Sequence, residues 1–344
     1  MTDTMKALVY SKPEDFEIKD VPIPDIAPNQ ILLKVKTCGI CKTDEHIHKG
    51  HFISKFPLTP GHEFAGVIEK MGPAVKGLKV GDRVTCDNTV LCGTCSWCKK
   101  DMPLFCENFY SMGVTGPGGF AEYAAVNYDK CFKISKDLSF DEASFAEPTA
   151  CSIHGMDTID VTFGDEVILF GSGPTGMILA QLLKYGGASQ VVVAAPKKFK
   201  LDALNKMGIK DTIQIDRKDW KANDKLIESL YPAGFDIVVD ATGASSVIQE
   251  ALKFTRRGAK LVIYGVCDES ETITVSPYEI FEKELKIIGS FCQTHCFDRA
   301  VKYLEEGIVE VAPMITHRFS LDDYARGLEI VMSGKDNIKV MINP

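Results

Sequence analysis

No stretch of these 344 residues stays apolar for anything like the ~20 positions needed to cross a bilayer. Runs such as Val191–Ala195 end after a few residues, so no transmembrane helix is expected. The opening segment, Met1–Tyr10, lacks a basic stretch leading into an apolar one, and no secretory signal is expected. Positive charge is in short supply: 39 Lys and Arg face 47 Asp and Glu, a formal net charge of −8. That balance argues against a nucleic-acid backbone or an anionic membrane as partner. Internal repeats and low-complexity tracts are also missing. The rest is ordinary globular composition, 45% apolar, 25% charged and 9% aromatic, which argues against disorder. The length suggests two domains, and a soluble cytoplasmic protein is the expectation.

Cysteine, by contrast, is plentiful, with twelve in the chain. In a reducing compartment these are unlikely partners for disulfides. They are expected as metal ligands, nucleophiles or small core residues. Cys92, Cys95 and Cys98 are spaced at i+3, and Cys106 follows shortly. Four soft thiolates at that spacing suit a tetrahedral Zn²⁺, and a closed four-cysteine shell is structural rather than catalytic.

A second constellation runs Cys38-Gly-Ile-Cys41-Lys42-Thr43-Asp44-Glu45-His46, followed by Gly61-His62-Glu63. One Cys and one His with a carboxylate or water make an open zinc site. Cys38 and Cys41 also spell a CxxC redox pair, but the βαβ context of that motif is missing here. His48 and His51 read as solvated loop side chains, and His154, His295 and His317 carry no special signal. Glu147-Pro148 precedes the first βαβ unit; the glutamate reads equally as a hinge residue or an extra metal ligand.

The first half of the chain reads as β-rich, with strands at Lys6–Val9, Gln30–Lys36 and Ala65–Lys70 and little helical periodicity before residue 140. Beyond it, short apolar runs alternate with helical stretches. Strands are expected at Val167–Phe170, Gln190–Ala195, Phe235–Asp240, Lys260–Tyr264 and Lys286–Gly289. Helices are expected at Thr175–Tyr185, Lys197–Met207 and Ser246–Phe254. This alternation implies parallel βαβ units. A last helix, Asp322–Ser333, and a strand, Lys339–Ile342, close the chain.

Gly171-Ser172-Gly173-Pro174-Thr175-Gly176 follows the first of those strands and opens a helix. In that context GxGxxG is a dinucleotide-binding turn, with the pyrophosphate at the helix N-terminus. Enzymes that use NAD place a carboxylate at the end of the next strand. Ala195 stands there instead, with Lys197, Lys198 and Lys200 following. Loss of an anion and gain of cations favours a 2′-phosphate, hence NADP(H) over NAD(H).

Together these motifs resemble the zinc-dependent medium-chain dehydrogenases across essentially the whole chain, and most closely their polyol, sorbitol-type branch. The resemblance implies an α/β protein: a GroES-like β-rich catalytic domain at 1–148 and 290–344, with a structural zinc lobe at about 88–110. A Rossmann domain with a doubly wound parallel sheet would occupy 149–289. Cys41 and His62 match the catalytic zinc ligands, Cys38 does not, and Glu63, Glu147 or water completes the shell. Cys92, Cys95, Cys98 and Cys106 match the structural site. Thr43 and His46 match a proton relay, and Glu147 could take part in it through a zinc-bound water. Lys42 matches a basic position reaching the cofactor pyrophosphate. Thr242 within Asp240–Gly243, together with Gly265-Val266 and Ser290-Phe291, matches segments lining the cofactor.

The implied reaction is reversible hydride transfer between NADP and a sugar alcohol such as D-arabinitol, giving a ketose. An interdomain cleft would hold the reactants. A phosphorylated polyol, with Lys49 or Lys55 as phosphate partners, and a simple alcohol or aldehyde are the alternatives. Phe52, Phe56 and Phe109 are candidate pocket residues. A zinc-free quinone reductase would lack Cys41, His62 and the four-cysteine lobe. A non-enzymatic cofactor-binding protein would not need the relay. The family also implies a homodimer or homotetramer, with Lys286–Ser290 able to pair across a two-fold axis. The seven remaining cysteines, Cys38, Cys86, Cys131, Cys151, Cys267, Cys292 and Cys296, are expected as reduced core residues.

Overall fold

The computed structural model describes residues 3–51 and 53–344. Phe52, one of the candidate pocket residues, lies outside them. The chain forms two compact units. One comprises Met1–Ala150, Gln293–Gly307 and Val311–Pro344; the other comprises Cys151–Cys292 and Ile308–Glu310.

The first unit is built on the strand Gln30–Ile40. Its middle alternates, with Lys34 and Lys36 exposed and Val35 and Thr37 buried, as a strand with one covered face requires. It pairs antiparallel with Glu63–Met71, Tyr123–Asn127 and Lys339–Asn343. Arg83–Cys86, Cys131–Lys133 and Ile315–Ser320 complete a seven-stranded sheet. Its core gathers Leu8, Tyr10, Ile31, Leu33, Phe64, Val84, Phe120, Tyr324 and Ile342. An antiparallel hairpin, Thr4–Lys12 with Asp15–Pro22, lies outside that sheet. Between Thr89–Val90 and Tyr110–Ser111 the chain loops out, and the two short strands pair to close the loop's base.

The second unit is a six-stranded sheet in which every pairing is parallel. The strand order is Thr212–Gln214, Gln190–Ala195, Glu166–Phe170, Phe235–Asp240, Thr255–Ile263, Lys286–Gly289. The order reverses beside Glu166–Phe170, and at such a switch point a crevice opens outside the carboxyl ends of the strands. Val167–Phe170 and Val192–Ala195 are fully buried, as strands covered on both faces must be.

Several elements differ from the sequence expectation. Thr212–Gln214 is a strand of only three residues, too short to show a period. The helix Trp220–Leu230 is dominated by polar side chains and was not anticipated. Lys42–Lys49 is a helix inside the part that reads as β-rich. Glu147 and Pro148 lie in the first turn of the helix Ala146–Ile159, where a proline needs no N–H partner. Of the seven unassigned cysteines, Cys38, Cys86 and Cys296 are buried, but Cys131, Cys151, Cys267 and Cys292 are only half-buried. Cys86 and Cys131 face each other across an antiparallel pair.

Candidate functional site

Cys41 caps the helix Lys42–Lys49. The Asp44 carboxylate accepts a hydrogen bond from the Cys41 backbone N–H at 2.8 Å, and Gly50 in the left-handed conformation ends the helix. Thr43 and His46, three apart, therefore share one face of this helix. Thr43 Oγ1 lies 3.8 Å from Cys41 Sγ. His46 is half-buried, and burial with the nearby Lys42 charge holds its pKa below the ordinary value. Lys42 is exposed and pairs with Glu45 at 2.5 Å; Lys49 pairs with the same carboxylate at 2.6 Å, so it is not a free phosphate partner. Lys55 is exposed. His48, expected as a solvated loop side chain, lies in the helix with Nδ1 3.0 Å from the Tyr10 hydroxyl.

Potential ligand atoms of Cys41, His62 and Glu63 lie within 4.8 Å of one another. All three come from the long central strand and its antiparallel neighbour: Cys41 just past Ile40, His62 just before Glu63. His62 Nδ1 and Asp44 Oδ1 are buried and make no hydrogen bond. Asp44 Oδ1 stands 3.8 Å from His62 Nδ1, which is how a carboxylate orients a ligating imidazole. Burial, with the Glu63 charge, pushes the Cys41 thiol up to about 12. Burial also pushes Asp44 up to about 6, against the pull of His62. Such a pocket, with soft and borderline donors and orphaned buried atoms, fits a divalent zinc ion. The Asp44 charge, against the effect of burial, raises the pKa of His62, and Glu147, buried in the same unit, adds to it. Cys38 is fully buried and not among the clustered donors.

Two residues of this site carry no sequence signal that singled them out. Lys339 is 2% exposed and forms a buried ion pair with Glu63, itself 1% exposed. It lies on the strand Lys339–Asn343, far along the chain. Asp44 sits at the third helical position after Cys41, a capping-box spacing that could have marked it.

In the loop, Cys92, Cys95, Cys98 and Cys106 bring their sulfurs within 4.8 Å. Backbone N–H groups of Thr94 and Cys95 donate to Cys92 Sγ at 3.5 and 3.3 Å, and that of Cys92 donates to Cys106 Sγ at 3.4 Å. The Thr94 and Cys95 donors hold the Cys92 thiol down at about 5, while burial pushes Cys98 up to about 12. Preformed thiolate character in a four-sulfur cluster fits a structural zinc ion.

The glycine turn has separate reasons at each position. Gly171 has φ +121°, and a Cβ there would meet the Ala241 carbonyl oxygen at 2.8 Å. A Cβ on Gly176 would meet the Gly171 carbonyl oxygen at 2.6 Å. A Cβ on Gly173 would meet nothing within 4 Å. The middle glycine is thus required by nothing in the chain, which fits a backbone surface kept bare for pyrophosphate. Pro174 and Thr175 open the helix Pro174–Tyr185 with Gly173 as its cap. The Asp240 carboxylate accepts from Thr242 N–H at 3.0 Å and Gly243 N–H at 3.1 Å, and its backbone oxygen accepts from Gly265 N–H at 2.9 Å. Thr242, Gly265 and the exposed Val266 are thereby gathered at one strand end. Ser290 continues from Gly289 with a buried, unpartnered Oγ, and Phe291 is exposed.

Ala195 ends its strand fully buried. Lys197 caps the next helix and is exposed. Lys198 is paired with Asp202 at 2.7 Å. Lys200 is half-buried, and burial together with Lys197 holds its ammonium below the usual lysine range. Phe56 packs near Tyr10, with ring centroids 6.3 Å apart, and Phe109 is half-buried.

Comparison with known proteins agrees with this geometry. Residues 27–136 match the alcohol dehydrogenase GroES-like domain, and residues 174–306 match the zinc-binding dehydrogenase family. The chain is 46% identical to D-arabinitol dehydrogenase 1 of Uromyces fabae, over 99% of this chain and 97% of that one. It is 31% identical to an L-threonine 3-dehydrogenase of Shigella sonnei over 98% of this chain and 99% of the other. A zinc-binding dehydrogenase of Sinorhizobium meliloti bound to NADP superposes with a TM-score of 0.93 at 30% identity, covering both chains completely. A short chain alcohol dehydrogenase of Escherichia coli complexed with NADH gives 0.91 at 29%, over 99% of each chain. With the parallel nucleotide-binding sheet, the β-rich unit and these full-length relatives, the chain belongs to the medium-chain, zinc-dependent alcohol and polyol dehydrogenases.

Proposed function

We propose that this enzyme interconverts a sugar alcohol of the D-arabinitol type and the corresponding ketose, using NADP(H). The observation that carries the chemistry is the clustering of Cys41, His62 and Glu63 donor atoms within 4.8 Å beside Thr43. The 46% identity to a D-arabinitol dehydrogenase over nearly the whole chain supports the substrate class.

Cys41 and His62 would hold a catalytic zinc, with Glu63, Glu147 or water completing its shell, and Cys92, Cys95, Cys98 and Cys106 a structural one. When bound, the catalytic zinc supplies Lewis acidity to the substrate oxygen, and NADP supplies the hydride acceptor. Thr43 Oγ1 takes the hydroxyl proton, and His46 passes it toward solvent. The lowered pKa of His46 keeps its ring neutral near pH 7 and ready to accept. Asp44 orients His62. Gly171, Gly173, Gly176 and the helix they open receive the pyrophosphate, and Thr242, Gly265, Val266, Ser290 and Phe291 line the remainder of the cofactor site. Lys42, which pairs with Glu45, is a further candidate for the pyrophosphate.

The absence of a carboxylate at Ala195 supports NADP. We also propose a homodimer or homotetramer. Lys286–Gly289 ends its sheet, and Tyr278, Phe281 and Ile287 beside it are 73%, 79% and 41% exposed. A cytoplasmic setting suits twelve free cysteines.

The test is a screen of polyols, their phosphates, L-threonine and simple alcohols with both cofactors. The highest kcat/KM is expected with a C5 polyol and NADP. Preferred oxidation of L-threonine or of a phosphorylated polyol would overturn the substrate, and a clear preference for NAD would overturn the cofactor.

A further inference from the structure

The cations that follow Ala195 in sequence are not all available to an anion. Lys198 is held by Asp202 at 2.7 Å. Lys197 and Lys200 lie one helical turn apart, with the Lys200 N–H donating to the Lys197 carbonyl at 3.1 Å. Neither side chain has a carboxylate partner among the described residues. Lys200 Nζ lies over the Phe199 ring, 5.8 Å from its centroid, and two ammonium groups one turn apart with no carboxylate of their own favour an anion beside them.

A third cation arrives from the neighbouring strand. Ala195 is in register with Gln214; past that pair, the Ile215 N–H donates to the Ala195 carbonyl at 3.1 Å. Gln214 Nε2 donates to the Pro196 carbonyl at 3.3 Å. The two chain segments therefore leave the sheet side by side, and Arg217 follows two residues later. Its turn is pinned by Asn223, a residue only 5% exposed. The Asn223 Nδ2 donates to the Asp216 carbonyl at 2.7 Å, and its Oδ1 accepts from the Asp216 N–H at 3.0 Å. The Asp216 carboxylate in turn accepts from the Lys218 N–H at 2.9 Å. Arg217 is exposed, and among the described residues it makes no side-chain hydrogen bond or ion pair.

The Arg217 charge helps lower the pKa of Asp240, whose net shift upward comes from burial. Asp240 ends a strand three positions across the sheet from Thr212–Gln214, roughly 14 Å at the usual strand spacing. A pinned turn carrying an unpartnered guanidinium and a helix start carrying two lysines without carboxylate partners thus leave the sheet side by side, beside the strand end from which a carboxylate is missing.

We propose that Arg217 is a cofactor-selecting residue that grips the 2′-phosphate of NADP(H), with Lys197 and Lys200 as its companions and Lys198 outside the clamp. This deepens, and rests on, the reading that the enzyme uses NADP. The planar guanidinium can give two parallel hydrogen bonds to one phosphate, which an isolated ammonium cannot.

The test is equilibrium binding by the full-length protein, read by fluorescence titration with NADPH, NADH, 2′,5′-ADP and 5′-AMP. Wild type is expected to bind 2′,5′-ADP more tightly than 5′-AMP; equal affinities would overturn the NADP reading itself. Given that preference, Arg217→Ala and Arg217→Gln should weaken NADPH and 2′,5′-ADP about 10- to 100-fold while leaving NADH and 5′-AMP within about twofold. Arg217→Lys should recover part of the loss. Lys218→Ala removes the same charge from the same turn and should change the ratio less than about threefold if contact rather than the general field matters. Retained discrimination in both Arg217→Ala and Arg217→Gln, or equal loss in Lys218→Ala, would overturn the role of Arg217.

Discussion

Glu63 and Lys339 bury opposite charges together, at 1% and 2% side-chain exposure. Neither is tolerable alone in that setting. Lys339→Met should leave the Glu63 carboxylate without a counter-charge and cost about 3–5 kcal/mol, read as a lower midpoint of denaturant unfolding. Adding Glu63→Leu to that variant should recover much of the loss; an equally unstable double variant would show that packing, not charge, dominates. The glycine turn gives a second contrast between single residues. Gly173→Ala places its Cβ in open space, so stability should change by less than ~0.5 kcal/mol while NADPH binding falls about tenfold or more. Gly176→Ala drives its Cβ into the Gly171 carbonyl oxygen, 2.6 Å away, and should cost about 1–3 kcal/mol before any cofactor is added. Thermal melts with and without NADPH separate the two. The GxGxxG spacing was legible in sequence because its context is local. The Glu63–Lys339 pair was not, since its two members meet only through the strands that carry them.

At the scale of the element, the helix Lys42–Lys49 joins folding to chemistry. Asp44 serves both, accepting the N–H of Cys41 and facing His62. Asp44→Ala should therefore lower stability by about 1 kcal/mol through the lost cap, and weaken catalytic-site zinc about 10- to 100-fold through the lost orienter. Competition with a chelating dye measures the second effect, and unchanged zinc affinity would confine Asp44 to capping. The helix escaped sequence reading because its eight residues bury only Asp44, Glu45 and Ile47, too few to set up an apolar stripe. The four-cysteine loop is the opposite case. Its ligands lie close in sequence, and its base is closed by the pairing of Thr89–Val90 with Tyr110–Ser111. Cys92→Ser should reduce metal content from about two zinc ions per chain to about one. A content still near two would move the structural site elsewhere.

For the whole molecule, metal content is tied to pH. Zinc ligands bind metal only when deprotonated, so acid competes with the ion at Cys41 and His62. Burial has raised the Cys41 thiol to about 12, so a large share of the metal's binding energy goes into displacing that proton. In the four-cysteine site hydrogen bonds hold Cys92 at about 5 while burial pushes Cys98 up to about 12, so acid competes with metal there as well, and both sites are expected to lose zinc as pH falls. Metal analysis after dialysis across pH 7 to 5 checks this, and undiminished zinc content at pH 5 would contradict it. The open edge at Lys286–Gly289 makes a separate prediction. Charged substitution at exposed Phe281 and Ile287 should reduce the mass measured by light scattering without lowering the helical signal.

Features whose partners are near in the chain were legible before any fold was known. These are the four-cysteine knuckle, the glycine turn opening a helix, and the alternation of apolar strands and helices that makes the sheet parallel. Short-range geometry is sufficient for each of them. Ala195 and the lysines after it also signalled a phosphate, although sequence could not say that Lys198 is already neutralised by its own helix. The tertiary structure decided the rest. It brought Cys41 to His62 and Glu63, set Lys339 against that carboxylate, and laid the Arg217 turn beside the end of the Ala195 strand. Strand pairing joins residues at any separation, and local preference carries no information about which strands become neighbours. Burial then decides which of the joined charges must pair and which remain free for a ligand.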